Sequence, residues 1–266
     1  MEEKAPHVDL VPWTVGDVAL GIVVVIGLTL LIGFGLGMGT VLLIGPEASL
    51  ELGIEGSTDL SKVFSAFLDF LEKEGLLQLW VVMALGGMVV SEGAMPLMAW
   101  LFSSVKYHRG WRALGFGSFK IKRTLILVAV VLIAGILVNL LYEWVLTSLG
   151  VEVSSTLPQE LTRTGVSLAM MAILTVLVAP FAEETFFRGF IFAGIGNRYG
   201  YGWGVVVSAL LFSLAHTLTY MQVWPLLPIF ILGLLLAWLY MRTGSIWPCI
   251  FTHFAYNSIA LLFMIL

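Results

Sequence analysis

Long apolar runs recur along the chain, from residue 18 almost to the last residue of the 266-residue sequence. A helix that crosses a bilayer needs about 20 predominantly apolar residues, and most of these runs are at least that long. The pattern therefore predicts an all-α integral membrane protein, a bundle of about seven, at most eight, transmembrane helices. Seven of them can be placed, with ends good to several residues, near 18–44, 77–102, 124–146, 165–196, 203–221, 226–241 and 246–265.

One segment between the first two runs has a different pattern. The sequence "DLSKVFSAFLDFLEKEG", residues 59–75, places apolar side chains at helical spacing behind Asp59 and polar residues between them. This spacing is typical of an amphipathic helix that lies on the membrane surface. We expect the helix to serve packing, with gating or substrate guidance as the alternative. The apolar positions are Leu60, Val63, Phe64, Phe67, Leu68 and Leu71.

Composition supports the membrane assignment and excludes other classes. Hydrophobic residues make up 59% of the chain and charged residues only 11%, whereas soluble proteins carry about 25% charged residues. No basic tract is present that would bind nucleic acid, and the partner that the composition indicates is the lipid bilayer. Because Cys249 is the only cysteine, an intrachain disulfide is excluded and a cysteine metal cluster is implausible. We expect Cys249 to pack between helices.

The distribution of charge predicts the orientation in the membrane. The loop 103–123 carries six basic residues and no acid, whereas the loop 45–76 carries seven acidic residues and two lysines. By the positive-inside rule the first loop is cytoplasmic, and counting crossings places the amino terminus inside and the carboxy terminus outside. The amino terminus lacks the pattern of a cleaved signal peptide. We expect one polytopic domain, residues 1–266, in the cell membrane of a prokaryote.

A small set of polar residues interrupts the predicted spans. Ionisable groups inside a membrane cost roughly 2.5–3.5 kcal/mol each on insertion scales, so each one is a candidate for function until a structural partner explains it. The set comprises Glu92, Glu183, Glu184, Arg188, His216 and His253, with Asn139 and Asn257 as uncharged companions.

Three of these residues lie in "VAPFAEETFFRGFIFAG", residues 178–194. Glu184 and Arg188 are four residues apart and share one helix face, which predicts an ion pair. Glu183 points about 100° away, towards another helix or a water-filled cavity. At about 1.5 Å per residue it lies roughly 20 Å from the inner end of the span. Structural stapling of the bundle is the alternative role for all three side chains.

Two later spans each carry a histidine paired at the same four-residue spacing with a second residue on the same helix face. "FSLAH" contains Phe212 and His216, and "HFAYN" contains His253 and Asn257. A carboxylate with an imidazole can hold a water molecule and take its proton. A second imidazole with a carboxamide can donate to an oxygen that gains negative charge. These groups suit hydrolysis of an acyl bond by activated water, and they would equally suit a proton relay.

The motifs "EETFFR", "FSLAH" and "HFAYN", in this order and each within a predicted span, resemble those of the CAAX protease and bacteriocin-processing family. Its eukaryotic members include the Ras-converting endopeptidase. The resemblance covers residues 165–266, which would be the catalytic part of the chain. Upstream of it only the general many-helix layout is similar.

The resemblance implies a glutamate-dependent intramembrane endopeptidase that works without a covalent acyl-enzyme and without a cofactor. Glu183 would be the general base, and His216 would help it to hold the water. His253 and Asn257 would form the oxyanion site, and Glu184 with Arg188 would support the base. The substrate would be a membrane-associated peptide or protein, with or without the prenyl group of a CaaX tail.

Other functions remain open from the residues. Glu183, His216 and His253 could supply ligands to zinc, although the H-E-x-x-H signature of many zinc peptidases is absent. A serine protease would need an activated serine; Ser245, in "TGSIWP", is not in such a motif. A membrane scaffold, a bacteriocin-immunity protein or a transporter is a non-enzymatic alternative.

Glu92 is not assigned: it could pair with the catalytic region, cap a helix broken near Pro96, or line a substrate path.

Overall fold

The computed structural model describes residues 11–44, 60–151, 165–217 and 224–265, and the regular structure in these ranges is entirely helical. The predicted all-α fold is therefore confirmed. The helix α5, residues 165–199, contains two π-helical stretches, Leu174–Val178 and Thr185–Phe192. The other helices are α1 (Val15–Ile44), α2 (Leu60–Lys73), α3 (Leu77–Trp100), α4 (Ile121–Ser148), α6 (Tyr201–Ala215), α7 (Leu226–Thr243) and α8 (Trp247–Ile265).

Five helices within the described ranges are long and apolar enough to cross a membrane, which supports a multi-pass membrane protein. They comprise Val15–Leu36, Leu77–Lys106, Ile121–Ser148, Leu168–Tyr199 and Leu226–Thr243. Helix α6 is apolar but has only 15 residues. It extends about 22 Å, less than the roughly 30 Å of a bilayer core. The total of seven crossings stays a prediction.

The predicted amphipathic segment is helical, as α2. Leu68 and Leu71 are buried, and the ring of Phe67 contacts Trp80 of α3 edge-on at 5.5 Å between centroids. The predicted packing role therefore agrees with the contacts of this helix. Its place at the membrane surface stays a prediction, and residues 45–59 of the acidic loop lie outside the described residues.

The start of α1 and the basic loop after α3 lie at the same end of the bundle. Thr14 and Asp17 cap α1 reciprocally, since the backbone N–H of each residue donates to the side chain of the other, at 2.8 and 3.3 Å. The Asp17 carboxylate also accepts hydrogen bonds from Lys106 and Tyr107. These contacts agree with the prediction that both segments share one side. That this side is the cytoplasm stays a prediction.

Helix α5 lies at the centre of the bundle and packs against α1, α3, α6, α7 and α8. Its residues 182–196 are buried without interruption. The indole N–H of Trp13, just before α1, donates to the carbonyl of Phe190 at 3.0 Å. The central helix is thus the one that carries the first polar motif.

The chain after α3 folds back against the middle of α5. A Cβ on Gly189 would lie 2.6 Å from the carbonyl oxygen of Leu114, so only glycine permits this approach. The neighbouring Gly115 has φ +87°, and its carbonyl accepts from the N–H of Ile246 at 2.9 Å. Because Ile246 immediately precedes α8, these contacts fix where α8 begins. The contact point on α5, Gly189, lies about 15 Å along the helix axis from the end of α5.

Candidate active site

The predicted ion pair on α5 is confirmed. Arg188 Nη1 lies 2.8 Å from Glu184 Oε1, and both side chains are fully buried. Arg188 also donates through Nη2 to the carbonyl of Gly233 on α7, at 3.2 Å. Its guanidinium carbon lies 4.4 Å from the centroid of the Phe212 ring on α6. The arginine therefore neutralises Glu184 and connects α5 to two neighbouring helices.

The same carboxylate oxygen also contacts α8. Nδ1 of His253 lies 3.0 Å from Glu184 Oε1. Since an ionised carboxylate can only accept, Nδ1 must carry the proton of this hydrogen bond. The opposite ring nitrogen, Nε2, is thereby directed to Glu183, 3.7 Å from its Oε2. Glu184 thus orients the imidazole of His253. The sequence had predicted only that Glu184 supports the base.

The second histidine approaches Glu183 from the end of α6. Helix α6 ends at Ala215 and His216 forms the cap that follows, whereas the predicted span continued to residue 221. Residues 218–223 lie outside the described residues. Nδ1 of His216 lies 2.8 Å from the carbonyl of Phe212, and Nε2 lies 3.7 Å from Glu183 Oε1. Because a carbonyl only accepts, Nδ1 is the protonated nitrogen here as well.

The Glu183 carboxylate therefore lies between two imidazoles, one at each oxygen. Both separations, 3.7 Å, exceed the range of a direct hydrogen bond. Within the described structure, the buried Oε2 of Glu183 has no hydrogen-bond partner. Glu184, one residue later, is held by Arg188 and His253. The two adjacent carboxylates thus differ in the way that the sequence predicted: Glu184 is compensated by a cation, and Glu183 faces groups of two other helices.

Phe212 is the shared packing surface of this cluster. Its ring contacts His216 and His253 edge-on, at centroid distances of 4.8 and 5.7 Å. Its other contacts are with Phe187, at 5.3 Å, and with the guanidinium of Arg188. The four-residue spacing of "FSLAH" indicated the pairing with His216. The contacts with α5 and α8 depend on the packing of three helices and had no signal in the sequence.

Asn257, four residues after His253 on α8, makes a hydrogen bond to the backbone of α5. Its Nδ2 donates to the carbonyl of Thr175 at 2.8 Å. Thr175 lies in the first π-helical stretch, where a carbonyl pairs with the N–H five residues on. For Thr175 that residue is Pro180, which has no N–H. The carboxamide thus satisfies a carbonyl that the helix leaves unpaired. The predicted oxyanion role of Asn257 stays a prediction.

Glu92, left unassigned by the sequence, lies close to the site. It lines a cavity between α3 and α5 together with Ala182, the residue before Glu183. The two carboxyl groups are near enough to interact electrostatically. Of the three roles considered, the lining of a path agrees with this position. Pairing with the catalytic region is not seen, since Oε2 of Glu92 has no hydrogen-bond partner in the described part of the chain, and the helix is not broken at Pro96, because α3 continues to Trp100.

The other singled-out residues have structural contacts. The hydroxyl of Ser245 is buried and donates to the carbonyl of Gly117 at 2.8 Å. Cys249 is buried, and its thiol donates to the carbonyl of Leu236 at 3.3 Å, which confirms a packing role between α7 and α8.

Among the described residues, no group of three or more His, Cys, Asp or Glu side chains is arranged to hold a metal ion. Independence from metal stays a prediction.

The carboxy-terminal part of the chain is similar to known proteins. Residues 165–259 match the family model described as "Type II CAAX prenyl endopeptidase Rce1-like". The protein named "Putative membrane peptidase YdiL", from Bacillus subtilis (strain 168), is 30% identical over 89 residues, which are 34% of this chain and 35% of the relative. "UPF0177 protein YxdF", from Lactococcus lactis subsp. lactis (strain IL1403), is 31% identical over 81 residues, 30% of this chain and 42% of the relative.

The chain thus spans less than half the length of these curated relatives, and no solved structure is significantly similar to it. The family match begins where α5 begins and ends within α8. It includes the three motifs "EETFFR", "FSLAH" and "HFAYN". The resemblance inferred from these motifs is confirmed: residues 165–259 match the Rce1-like family model.

Proposed function

We propose that the protein is an intramembrane endopeptidase in which Glu183 and His216 activate the attacking water. The observation that carries this proposal is the position of the Glu183 carboxylate, 3.7 Å from an imidazole nitrogen on either side. These groups come from α5, α6 and α8, so the whole domain is needed to assemble them. The Rce1-like match and the printed name of the Bacillus relative support the same class of activity.

The gap between Glu183 and His216 suits a water molecule. With its proton on Nδ1, a neutral His216 has an acceptor nitrogen, Nε2, facing the acceptor Oε1 of Glu183. A water that donates one hydrogen to each would bridge the 3.7 Å and direct a lone pair outwards. As the water oxygen bonds to the scissile carbonyl carbon, Glu183 takes one of its protons.

His253 is the proposed partner of the oxygen that becomes negative. With protons on both ring nitrogens, it would donate through Nδ1 to Glu184 and through Nε2 to the tetrahedral oxyanion. Arg188 keeps Glu184 in place for this task. When the carbon–nitrogen bond breaks, the proton held by Glu183 passes to the departing amine. The products are a carboxylic acid and an amine, and no acyl-enzyme forms.

The deciding experiment uses the purified protein, reconstituted in lipid, with matched farnesylated and unprenylated CaaX peptides. We expect cleavage near the carboxy terminus of the peptide, located by mass spectrometry, and none by the Glu183→Gln variant. The ratio of the two peptides' rates tests the finer proposal that the substrate is prenylated. If Glu183→Gln cleaves as fast as the parent, the mechanism is wrong.

Exhaustive chelation separates this mechanism from the zinc alternative. We expect full activity after chelation, because the proposed chemistry uses side chains and water alone. Loss of activity that added zinc restores would instead assign Glu183, His216 and His253 to a metal.

A further inference from the structure

A cavity of about 290 Å³ lies between α3 and α5, next to the candidate active site. Glu92, Gly93 and Pro96 line it from α3, and apolar side chains that include Val178, Phe181 and Ala182 line it from α5. Ala182 directly precedes Glu183, and the carboxyl groups of Glu92 and Glu183 are near enough to interact electrostatically, so the cavity lies close to the proposed base. A peptide bound at Glu183 would have its neighbouring residues beside this cavity.

The residues of the two helices explain the opening. Gly93 contributes no side chain, and a Cβ built there would meet nothing within 4 Å. Pro96 lies inside α3, which continues to Trp100, and the π-helical stretch Leu174–Val178 of α5 ends two residues before Pro180. Helices α3 and α5, with these irregularities and no side chain at Gly93, do not pack closely against each other at this point. The cavity is thus built by the sequence of both helices.

Glu92 determines what could occupy it. Its Oε2 is buried and, within the described part of the chain, has no hydrogen-bond partner. A buried acceptor without a donor is costly, more so in a membrane. A lipid acyl chain could fill the apolar part of the cavity but offers no donor. An extended peptide offers backbone N–H groups, each of which needs an acceptor within the bilayer.

We propose that this cavity is a substrate subsite, in which Glu92 accepts a hydrogen bond from a backbone N–H of the bound peptide. The apolar walls take the adjacent apolar side chain. This inference rests on the proposed endopeptidase function and names the part of the substrate that its site would recognise.

A chemical double-mutant cycle tests the hydrogen bond. Peptides methylated at one backbone nitrogen at a time, on both sides of the cleaved bond, are offered to the parent and to Glu92→Leu. We expect one methylated position to raise KM roughly tenfold or more with the parent but hardly at all with Glu92→Leu, since both changes remove the same hydrogen bond. Glu92→Gln, which keeps an acceptor oxygen, should recover much of the binding. Equal losses with parent and Glu92→Leu at every position would overturn the assignment.

A second measurement fills the cavity without touching Glu92. In a Glu183→Gln background, Gly93→Leu should weaken binding of the fluorescent farnesylated peptide to protein in lipid nanodiscs. Gly86→Leu is the matched control: Gly86 lies two turns earlier on α3, also has open space at its Cβ, and does not line the cavity. Size-exclusion profiles check that both variants fold.

The two measurements separate this proposal from the proposed function. Cleavage by the parent, with KM and binding unaffected by Gly93→Leu, would overturn the subsite and leave the protease standing. Binding weakened by Gly93→Leu, with no cleavage by the parent, would keep a peptide site and overturn the protease. Binding unchanged by Gly93→Leu, with a lipid acyl chain in the cavity, would assign it to lipid.

Discussion

Helices α4 and α5 are both long and apolar, yet they have opposite surroundings. Large apolar side chains of α4 face outwards, and Leu125 and Ile126 are 63% and 67% exposed. In α5 the residues 182–196 are all buried. The polar residues Arg123, Asn139 and Glu143 of α4 are exposed. A polar residue within an apolar run is therefore not a candidate for function by its presence alone. The groups that surround it in the fold make it one. Helix α4 therefore supplies matched controls for each test of the site.

The largest difference should appear between two glutamates. Glu183→Gln is expected to reduce cleavage on the order of 10²–10⁴-fold, to the limit of detection, because a general base is lost. His216→Ala and His253→Ala should do the same while the protein stays folded and inserted. Glu143→Gln on α4 should retain the parent rate. Equal rates for the two glutamine variants, measured by mass spectrometry of peptide products, would remove the distinction between the helices.

The next effect concerns stability. Arg188→Met leaves the buried Glu184 without its cation, and breaking a buried ion pair costs about 3–5 kcal/mol. Arg123→Met on α4 changes an exposed residue and should alter the free energy of unfolding by less than about 0.5 kcal/mol. Unfolding in detergent micelles measures both. The double variant Glu184→Gln with Arg188→Met should recover part of the loss, since no unpaired charge remains.

Asn257→Ala tests a role that the geometry and the motif describe differently. If Asn257 is an oxyanion donor, its loss should lower kcat roughly 10²–10³-fold with little change in stability. If it only satisfies the Thr175 carbonyl, its loss should cost about 1–3 kcal/mol of stability, because that acceptor is left unpaired. Asn139→Ala on α4 should change neither. Comparing kcat with the unfolding midpoint of the same preparation decides between the roles.

A glycine pair gives a smaller effect. A Cβ on Gly189 meets the backbone oxygen of Leu114 at 2.6 Å, whereas one on Gly135 of α4 meets the side chains of Tyr256 and Leu232 at 3.3 and 3.4 Å. Gly189→Ala should cost about 1–3 kcal/mol, because the loop must move. Gly135→Ala should be near neutral, since helix propensity offsets the tighter contact. Similar unfolding midpoints for both would contradict the close approach of loop and helix.

The smallest effect is expected at Ser245. Its hydroxyl holds the turn before α8 through Gly117, so Ser245→Ala should cost about 1 kcal/mol of stability and leave the cleavage rate unchanged. Ser148→Ala on α4 removes an exposed hydroxyl that donates to the carbonyl of Trp144 and should change neither quantity. A large loss of cleavage in Ser245→Ala alone would revive the serine protease alternative.

The features predicted correctly from the sequence are those set by local spacing. The long apolar runs placed the spanning helices, and the four-residue intervals placed Glu184 with Arg188, and Phe212 with His216, on one helix face.

Features that depend on backbone acceptors in other helices could not be predicted in this way. The carbonyls of Thr175 and Gly233 bind Asn257 and Arg188 only because α5, α7 and α8 pack together. The exact end of α6, and hence the place of His216, depends in turn on how this helix meets α7. Residue types alone do not specify these distances.

The π-helical stretch Thr185–Phe192 has a consequence for chain length. A π-helix accommodates an additional residue within an otherwise α-helical rod. Removing one residue there would let the rod close into a regular α-helix while the segment beyond keeps its direction, whereas the same deletion in a regular α-helix turns everything beyond it by about 100°. Gly194, whose missing side chain admits Trp13 and Val18 of the amino-terminal part, would therefore still face them. A single deletion within Thr185–Phe192 should accordingly disturb the packing beyond it less than a single deletion in an α-helical part of the same rod.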